Sequence, residues 1–152
     1  MTPEATPGAE WIASADPDPR HVFDQWRTHR LHTALIPTGV RFDAVAVSLE
    51  LVHLMTTAPS PVDTAPLLYD EFGQRGYVLV PPGTADSWHL PSTRPLGRGS
   101  WVAMPEPGAQ RWRPHLRWVV APDGSGTAAD PAALRDYITV RLRPALREVA
   151  PC

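Results

Sequence analysis

The sequence predicts an α+β domain in which helices pack on a mixed or mostly antiparallel sheet of about five to six strands. Three apolar runs of β-type residues, at 76–80, 99–104 and 117–121, each end at prolines or at a proline-containing turn. Because proline removes a ladder donor and restricts φ, such stops are typical of neighbouring strands of one sheet. Segments with helical spacing lie before, between and after these strands, which favours an α+β fold.

Length and composition limit the number of domains and the kinds of partner that the chain can have. A chain of 152 residues suits one domain, and we predict a flexible N-terminus over residues 1–10 and a single α+β domain over residues 11–150. The net charge of −2 argues against nucleic-acid binding by bulk charge, although a local basic groove remains open. All 14 basic side chains are arginines. Their guanidinium forks suit phosphate or carboxylate recognition, but the codon bias of a GC-rich genome is the favoured explanation.

No apolar stretch approaches the roughly 20 residues that span a bilayer, and the N-terminus lacks the basic and apolar regions of a signal peptide. We therefore expect a cytoplasmic protein that does not bind membranes. The single cysteine, Cys152, is the last residue and cannot form an internal disulfide, so we interpret it as incidental.

Three helix starts carry an N-cap residue. Asp18 precedes Pro19, with Val22, Phe23 and Trp26 following at helical spacing. Ser48 precedes a helix from 49 to about 57, and Asp130 precedes a last helix that Pro144 is expected to end or kink.

The first two strands are predicted at 33–36 and 42–47, joined by a Pro-Thr-Gly turn that favours an antiparallel hairpin. Alternation in the second strand places Phe42 and Ala44 on one side and Asp43 and Val45 on the other. Two further strands are predicted at 66–69 and 77–80, followed by one helical turn at 84–88 and a loop at 89–100.

Read in order, several short motifs resemble those of the bifunctional DNA primase/polymerase (prim-pol) family. An Asp-Pro step at 16–17 opens a tryptophan-bearing helix, and a Thr-Gly turn at 38–39 precedes the strand that carries Asp43. An Arg-Gly segment at 98–99 leads into a strand that ends in prolines, and an Arg-Trp strand follows at 117–118. The resemblance covers residues 15–121 and implies the archaeo-eukaryotic primase fold.

The same resemblance implies that the polymerase chemistry has been lost. The family holds two divalent metals on an Asp-x-Asp pair, because nucleotidyl transfer uses a two-metal clamp, but Val45 stands at the second position and Arg75 at the family's histidine. No metal and no cofactor are therefore expected. What remains is a cleft in which we expect five ligand-binding residues, namely Arg41, Asp43, Arg75, Arg98 and Trp101.

Other candidate sites have simpler interpretations. His29 and His32 have a spacing compatible with a shared helix face, but no further ligand accompanies them, so a solvated helix end is favoured over a metal site. Asp16 and Asp18 precede prolines at a helix start, where capping explains them. Trp112 lies between two arginines in a polar segment, where it could stack on a base or anchor the loop. We include it as a sixth candidate binding residue.

Three functional hypotheses follow. The first is a catalytically inactive binding module for a nucleotide, a nucleic-acid end or a protein partner. The second is a structural or regulatory protein that binds other proteins and needs no small ligand. The third is a small-molecule enzyme with Asp43 as acid or base, which predicts a deep pocket around that residue and a pKa raised by burial.

Overall fold

The computed structural model describes residues 5–58, 60, 62–109 and 115–149, with side chains as far as Arg141. The helices are α1 (Pro7–Ala13), α2 (Pro19–Thr28), α3 (Leu49–Thr57) and α4 (Pro131–Val149), and a 3-10 turn spans Thr84–Ser87. The strands are β1 (Thr33–Pro37), β2 (Asp43–Ser48), β3 (Leu67–Asp70), β4 (Arg75–Val80), β5 (Arg94–Leu96), β6 (Trp101–Pro105) and β7 (Leu116–Val120).

The strands form two sheets. Five of them make a main sheet in the order β5-β2-β4-β3-β7, and β1 and β6 make a separate two-stranded ribbon. Each of these pairings is antiparallel. The predicted α+β class is therefore confirmed.

The predicted hairpin between the first two strands is wrong. β1 pairs with β6, whereas β2 pairs with β4 and β5 in the main sheet. The connecting turn contains Gly39 at φ +95°, and its amide donates to the Phe42 carbonyl at 2.8 Å. This hydrogen bond forms within the turn, but the two strands that the turn joins, β1 and β2, belong to different sheets.

The three proline-terminated strands are also not neighbours in one sheet. β4 and β7 share the main sheet with β3 between them, and β6 belongs to the ribbon. Within the segment predicted as a loop, residues 94–96 form β5 at the edge of the main sheet. β5 is short and contains Pro95, which is why the strand signal is weak in the sequence.

The main sheet is covered on both faces. One face, which we call the first face, packs Val45 and Val47 against α3 and α4. The second face packs Phe42 and Ala44 against α1, α2 and the inner side of the ribbon. The alternation predicted for β2 agrees with these two clusters, because the two sets of its side chains enter different cores.

The helix starts follow the predicted caps closely. The Ser48 hydroxyl accepts a hydrogen bond from the Leu51 amide, and the Asp130 carboxylate accepts one from the Ala133 amide at 2.9 Å. Asp18 occupies the N-cap position of α2 without a capping hydrogen bond from its side chain. α4 continues past Pro144 to Val149, so this proline does not end the helix.

Of the segment 1–10 that is predicted as a flexible N-terminus, residues 1–4 lie outside the described residues, and residues 7–10 are helical. α1 begins at Pro7, where the Thr6 hydroxyl accepts a hydrogen bond from the Ala9 amide, and it buries Gly8 and Ala9. A Cβ on Gly8 would lie 1.9 Å from the Pro122 carbonyl oxygen, so this glycine permits close packing of α1 on the chain after β7. Short helices of this kind depend on tertiary contacts, which sequence periodicity does not reveal.

None of the helices in the described part of the chain is both long enough and apolar enough to cross a membrane.

Candidate functional site

The carboxylate of Asp43 is buried at the start of β2, with 1% of the residue exposed. Its Oδ2 accepts hydrogen bonds from the amides of Gly83 at 3.0 Å and Ala85 at 2.8 Å. Gly83 has φ +93°, the left-handed conformation that glycine adopts without strain and that begins the 3-10 turn. Asp43 thus connects β2 to the turn that follows β4.

Gly97 closes the other side of this carboxylate. A Cβ at Gly97 would lie 2.8 Å from the Cβ of Ala85 and 3.4 Å from Oδ2 of Asp43, so glycine lets the end of β5 approach both residues. Oδ1 of Asp43 is also buried and has no hydrogen-bond partner among the described residues. A carboxylate enclosed in this way is held in the fold and does not face a ligand.

The residues around Asp43 do not fit a two-metal centre of the kind that the prim-pol family uses. Val45, at the position of the second carboxylate, is fully buried in the core of the first face. Among the residues that the structure describes, no group of three or more His, Cys, Asp or Glu side chains could hold a metal ion. With Oδ2 of Asp43 engaged by two amides, the donor set of a two-metal site is missing.

The third hypothesis, an enzyme using Asp43, finds little support in this geometry. A cavity of about 420 Å³ lies between the end of α3, the loop that follows it and β7, and Asp43 does not line it. An acid or base must reach the atom that gains or loses the proton. The enclosed carboxylate of Asp43 offers no such access.

The outer face of the β1–β6 ribbon is an exposed apolar surface. Cross-strand pairing sets Leu35 opposite Ala103 and Pro37 opposite Trp101. Leu35 is 55% exposed and Trp101 is 56% exposed, while the alternate residues of both strands are buried against the main sheet. We call these four outward-facing residues the ribbon platform.

Two arginines flank the Trp101 end of the ribbon platform. The amide of Thr38 donates to the Ser100 carbonyl at 3.0 Å, and a Cβ on Gly39 would lie 2.6 Å from the Cα of Arg98. Arg41 lies in the same turn, two residues after Gly39. Both arginine side chains are exposed, and neither has an ion pair or a side-chain hydrogen bond among the described residues.

Thr38 joins this turn to the loop that carries Arg98. Its side chain is buried, and its hydroxyl hydrogen-bonds to the carbonyl oxygens of Gly97 and Ser100. The predicted residues Arg41, Arg98 and Trp101 are thus brought to one end of the ribbon. Asp43 lies near them in the chain but is buried beneath the same loop.

Arg75 does not belong to this group, which corrects the predicted cleft. In the pairing of β2 with β4, Asp43 lies opposite Val80 and Ser48 lies opposite Arg75. Arg75 is therefore five residues along the sheet from Asp43, or about 17 Å at the usual rise per residue. It also lies on the second face, with Tyr77, whereas Asp43 points to the first.

Sequence reasoning missed the residues that surround Arg75. Tyr77 and Arg94 both lie opposite Ala46, one on each side of β2, so they share the second face with Arg75. Burial raises the pKa of the Tyr77 phenol above 10.0, against the opposing positive charges of Arg75 and Arg94. The sequence shows Arg94 only as a basic residue in the segment predicted as a loop, because the pairing of β5 with β2 that brings it near Tyr77 is not visible there.

The His29 and His32 pair serves the end of α2. His29 ends α2 as its C-cap, where its Nδ1 accepts a hydrogen bond from the Leu31 amide. Nδ1 of His32 pairs with the Trp26 carbonyl oxygen at 2.9 Å, so both rings serve the end of the helix. Trp112 lies outside the described residues.

No family model, curated protein or solved structure matches this chain.

Proposed function

We propose that this protein is a binding module for single-stranded nucleic acid or a nucleotide, with no nucleotidyl-transfer activity. The observation that carries the proposal is the exposed indole of Trp101 on the ribbon platform, beside the exposed side chains of Arg41 and Arg98, which have no ion pair among the described residues. Its binding mode is base stacking on the tryptophan, with the two arginines on the phosphates.

An exposed tryptophan and two exposed guanidinium groups can bind the two parts of a nucleotide, namely its base and its phosphate. Stacking of a base on an aromatic ring contributes about 1–3 kcal/mol and tolerates any base, because every base has a π face. Guanidinium groups bind phosphate through paired N–H donors and release condensed counterions. The net charge of −2 makes such binding local, confined to this end of the ribbon.

In this proposal, the protein shares the fold of the prim-pol family but has lost the family's nucleotidyl-transfer chemistry. In support, Asp43 begins a strand of an antiparallel sheet, but its carboxylate binds two backbone amides and has Val45 where a second metal ligand would stand. A protein with this arrangement would keep a surface for nucleic acid without the metal centre.

The test is fluorescence anisotropy of labelled single-stranded DNA and RNA of about 12 nucleotides. We expect saturable binding at about 50 mM salt that weakens at about 200 mM, with a log–log slope near −0.7 for each phosphate contacted. Trp101→Ala should raise Kd about tenfold, because it removes one stacked base. Arg41→Ala and Arg98→Ala should each reduce the magnitude of the salt slope by about 0.7.

Arg135→Ala is the matched control. Arg135 is an exposed arginine on α4, which packs on the first face, away from the ribbon. Its replacement removes the same charge from the protein without touching the platform, so Kd and the salt slope should not change beyond the small effect of net charge. Absence of binding at about 50 mM salt, or equal losses in the Arg98 and Arg135 variants, would refute the proposal.

A protein partner is the second candidate, and it has its own observation. Leu35 is 55% exposed on the same outer face of the ribbon as Trp101, and Val40, in the turn that follows β1, is also 55% exposed. Exposed apolar patches of this kind are typical of protein interaction sites. Leu35→Asp discriminates between the two functions, since it should abolish docking of a protein on the platform while leaving Arg98-dependent salt sensitivity toward nucleic acid in place.

A further inference from the structure

A second group of basic side chains lies away from the ribbon platform, on the second face of the main sheet. It consists of Arg75, Tyr77 and Arg94, which we call the Tyr77 cluster. The cluster is separate from the platform, because Arg75 lies at the end of β2 and β4 opposite to Asp43 and to the loop that carries Arg98.

Strand pairing brings the three side chains together. Tyr77 on β4 and Arg94 on β5 are both opposite Ala46 of the intervening strand, and Arg75 precedes Tyr77 by two residues on the same face. Two strand spacings separate the Cα atoms of Tyr77 and Arg94 by about 10 Å, which long side chains bridge when the residue between them is small. The side chain of Ala46 is a single methyl group, so it does not separate the side chains of Tyr77 and Arg94 on either side of it.

The polar groups of the cluster are only partly engaged. The Nε of Arg75 donates to the Gly73 carbonyl oxygen at 3.2 Å, and the Arg75 side chain also hydrogen-bonds to Tyr77, which holds the guanidinium beside the phenol. Arg94 is exposed and has no ion pair or hydrogen bond of its side chain among the described residues. The structure thus holds one anchored and one free guanidinium on either side of a phenol hydroxyl.

One carboxylate opposes this positive charge. Asp70 lies opposite Arg75 in the pairing of β3 with β4, and its charge acts on Tyr77. Its Oδ1 accepts a hydrogen bond from the Gly73 amide at 3.0 Å, which engages it in the turn between the two strands. With two guanidinium groups and one carboxylate, the cluster keeps a net positive charge.

We propose that the Tyr77 cluster binds the phosphate group of a phosphate monoester, with the guanidinium groups of Arg75 and Arg94 and the hydroxyl of Tyr77 as donors. A dianionic phosphate matches the geometry of two guanidinium forks, which pair with its oxygens through parallel N–H donors. The phenol supplies a neutral donor that adds no charge. The site goes beyond the proposed nucleic-acid function and uses none of the residues of the ribbon platform.

The test is a titration of isotope-labelled protein with inorganic phosphate at constant ionic strength, followed by the Nε–Hε signals of the arginine side chains in NMR spectra. We expect saturable shifts of the Arg75 and Arg94 signals, while the signal of Arg135, an exposed arginine on α4, stays unchanged. Arg94→Ala and Tyr77→Phe should each weaken the affinity about tenfold, the usual effect of one charge-assisted or buried hydrogen bond. The Arg135→Ala control should bind as the unchanged protein does.

The same titration is repeated with adenosine 5′-monophosphate and with adenosine, because free phosphate and the phosphate of a nucleotide present the same chemical group to the cluster. Tighter binding of the nucleotide than of inorganic phosphate supports a nucleotide source, and equal binding supports the phosphate group alone. Binding of adenosine as strong as that of the nucleotide would overturn the proposal, as would shifts that do not saturate. Failure of the anisotropy test with oligonucleotides leaves this outcome unaffected, since its variants lie on the other surface.

Discussion

Oδ2 of Asp43 accepts a hydrogen bond of 2.8 Å from the amide of Ala85, which ties the start of β2 to the 3-10 turn after β4. The same oxygen accepts a second bond from Gly83. In the sequence, this carboxylate was the strongest candidate for chemistry. In the fold it does what a capping aspartate does, because it supplies a charged acceptor to amides at the start of a helical turn.

Replacement of this acceptor should therefore lower stability. We expect Asp43→Ala to reduce the free energy of unfolding by about 2–4 kcal/mol, because it removes two hydrogen bonds to a charged group and leaves a void in a buried site. Urea denaturation followed by circular dichroism measures the change. Asp86→Ala, in the same 3-10 turn but exposed, is the matched control and should stay within about 0.5 kcal/mol.

Divalent metal ions should leave the protein unchanged. A ligand that binds the folded state stabilises it by mass action, but the Asp43 site has one enclosed carboxylate and Val45 in place of a second. We expect the midpoint of thermal unfolding to be the same with millimolar Mg²⁺, with millimolar Mn²⁺ and with a chelator. An upward shift in metal that disappears in Asp43→Asn would contradict the structural role given to this residue.

Thr38 should affect both stability and binding at the ribbon platform. Its buried hydroxyl hydrogen-bonds to the Gly97 and Ser100 carbonyl oxygens on either side of Arg98 and Gly99. Thr38→Val removes that bond at nearly constant volume, and we expect a loss of about 1 kcal/mol in the free energy of unfolding. Because the loop then holds Arg98 less firmly, Kd for single-stranded DNA should rise in the anisotropy assay.

Thr56→Val provides the comparison for Thr38→Val. The Thr56 hydroxyl bonds to the His53 carbonyl oxygen within the exposed side of α3, far from the ribbon. It should change neither the affinity nor, beyond about 0.5 kcal/mol, the stability. If both threonine variants lowered affinity equally, the coupling between Thr38 and the Arg98 loop would be wrong.

Local signals in the sequence predicted local structure well. Ser48 and Pro19 mark the starts of α3 and α2, and the alternation through β2 assigns its side chains to two faces. These features depend on residues within a few positions of one another. Alternation identifies the buried side of a strand but not its partner, so the membership of β1 in a ribbon with β6 could not be derived from the chain.

The candidate site shows the same division. Motif order predicts Arg41, Arg98 and Trp101 near the turn after β1 and the loop before β6, and the structure brings these two segments together. That the three residues bind a ligand stays a prediction. Arg75 was grouped with them because strand direction was unknown. The register of β2 with β4 sends it to the opposite end, and the same register creates the cluster around Tyr77 that the sequence did not suggest.

The titration of Tyr77 gives a last prediction, on the pH dependence of stability. Burial raises the pKa of this phenol above 10.0 in the folded protein, and the charges of Arg75 and Arg94 only partly oppose the rise. The folded state therefore binds the phenol proton more tightly than the unfolded state does. The resulting stability is fully present below pH 10.0, where both states are protonated, and is lost as the pH rises through the folded-state pKa.

We therefore expect the free energy of unfolding to fall as the pH rises above 10.0, and Tyr77→Phe to reduce that fall because phenylalanine has no proton to lose. Urea denaturation at a series of pH values measures the free energy, and the ultraviolet absorbance of tyrosinate reports the ionisation directly. Tyr69→Phe is the control, since Tyr69 lies on the first face beneath the guanidinium of Arg117, and there the fall should persist. If the Tyr77→Phe variant and the unchanged protein had identical pH profiles, the Tyr77 phenol would be as well hydrated in the folded state as in the unfolded state. That outcome would refute the burial of the phenol in the Tyr77 cluster.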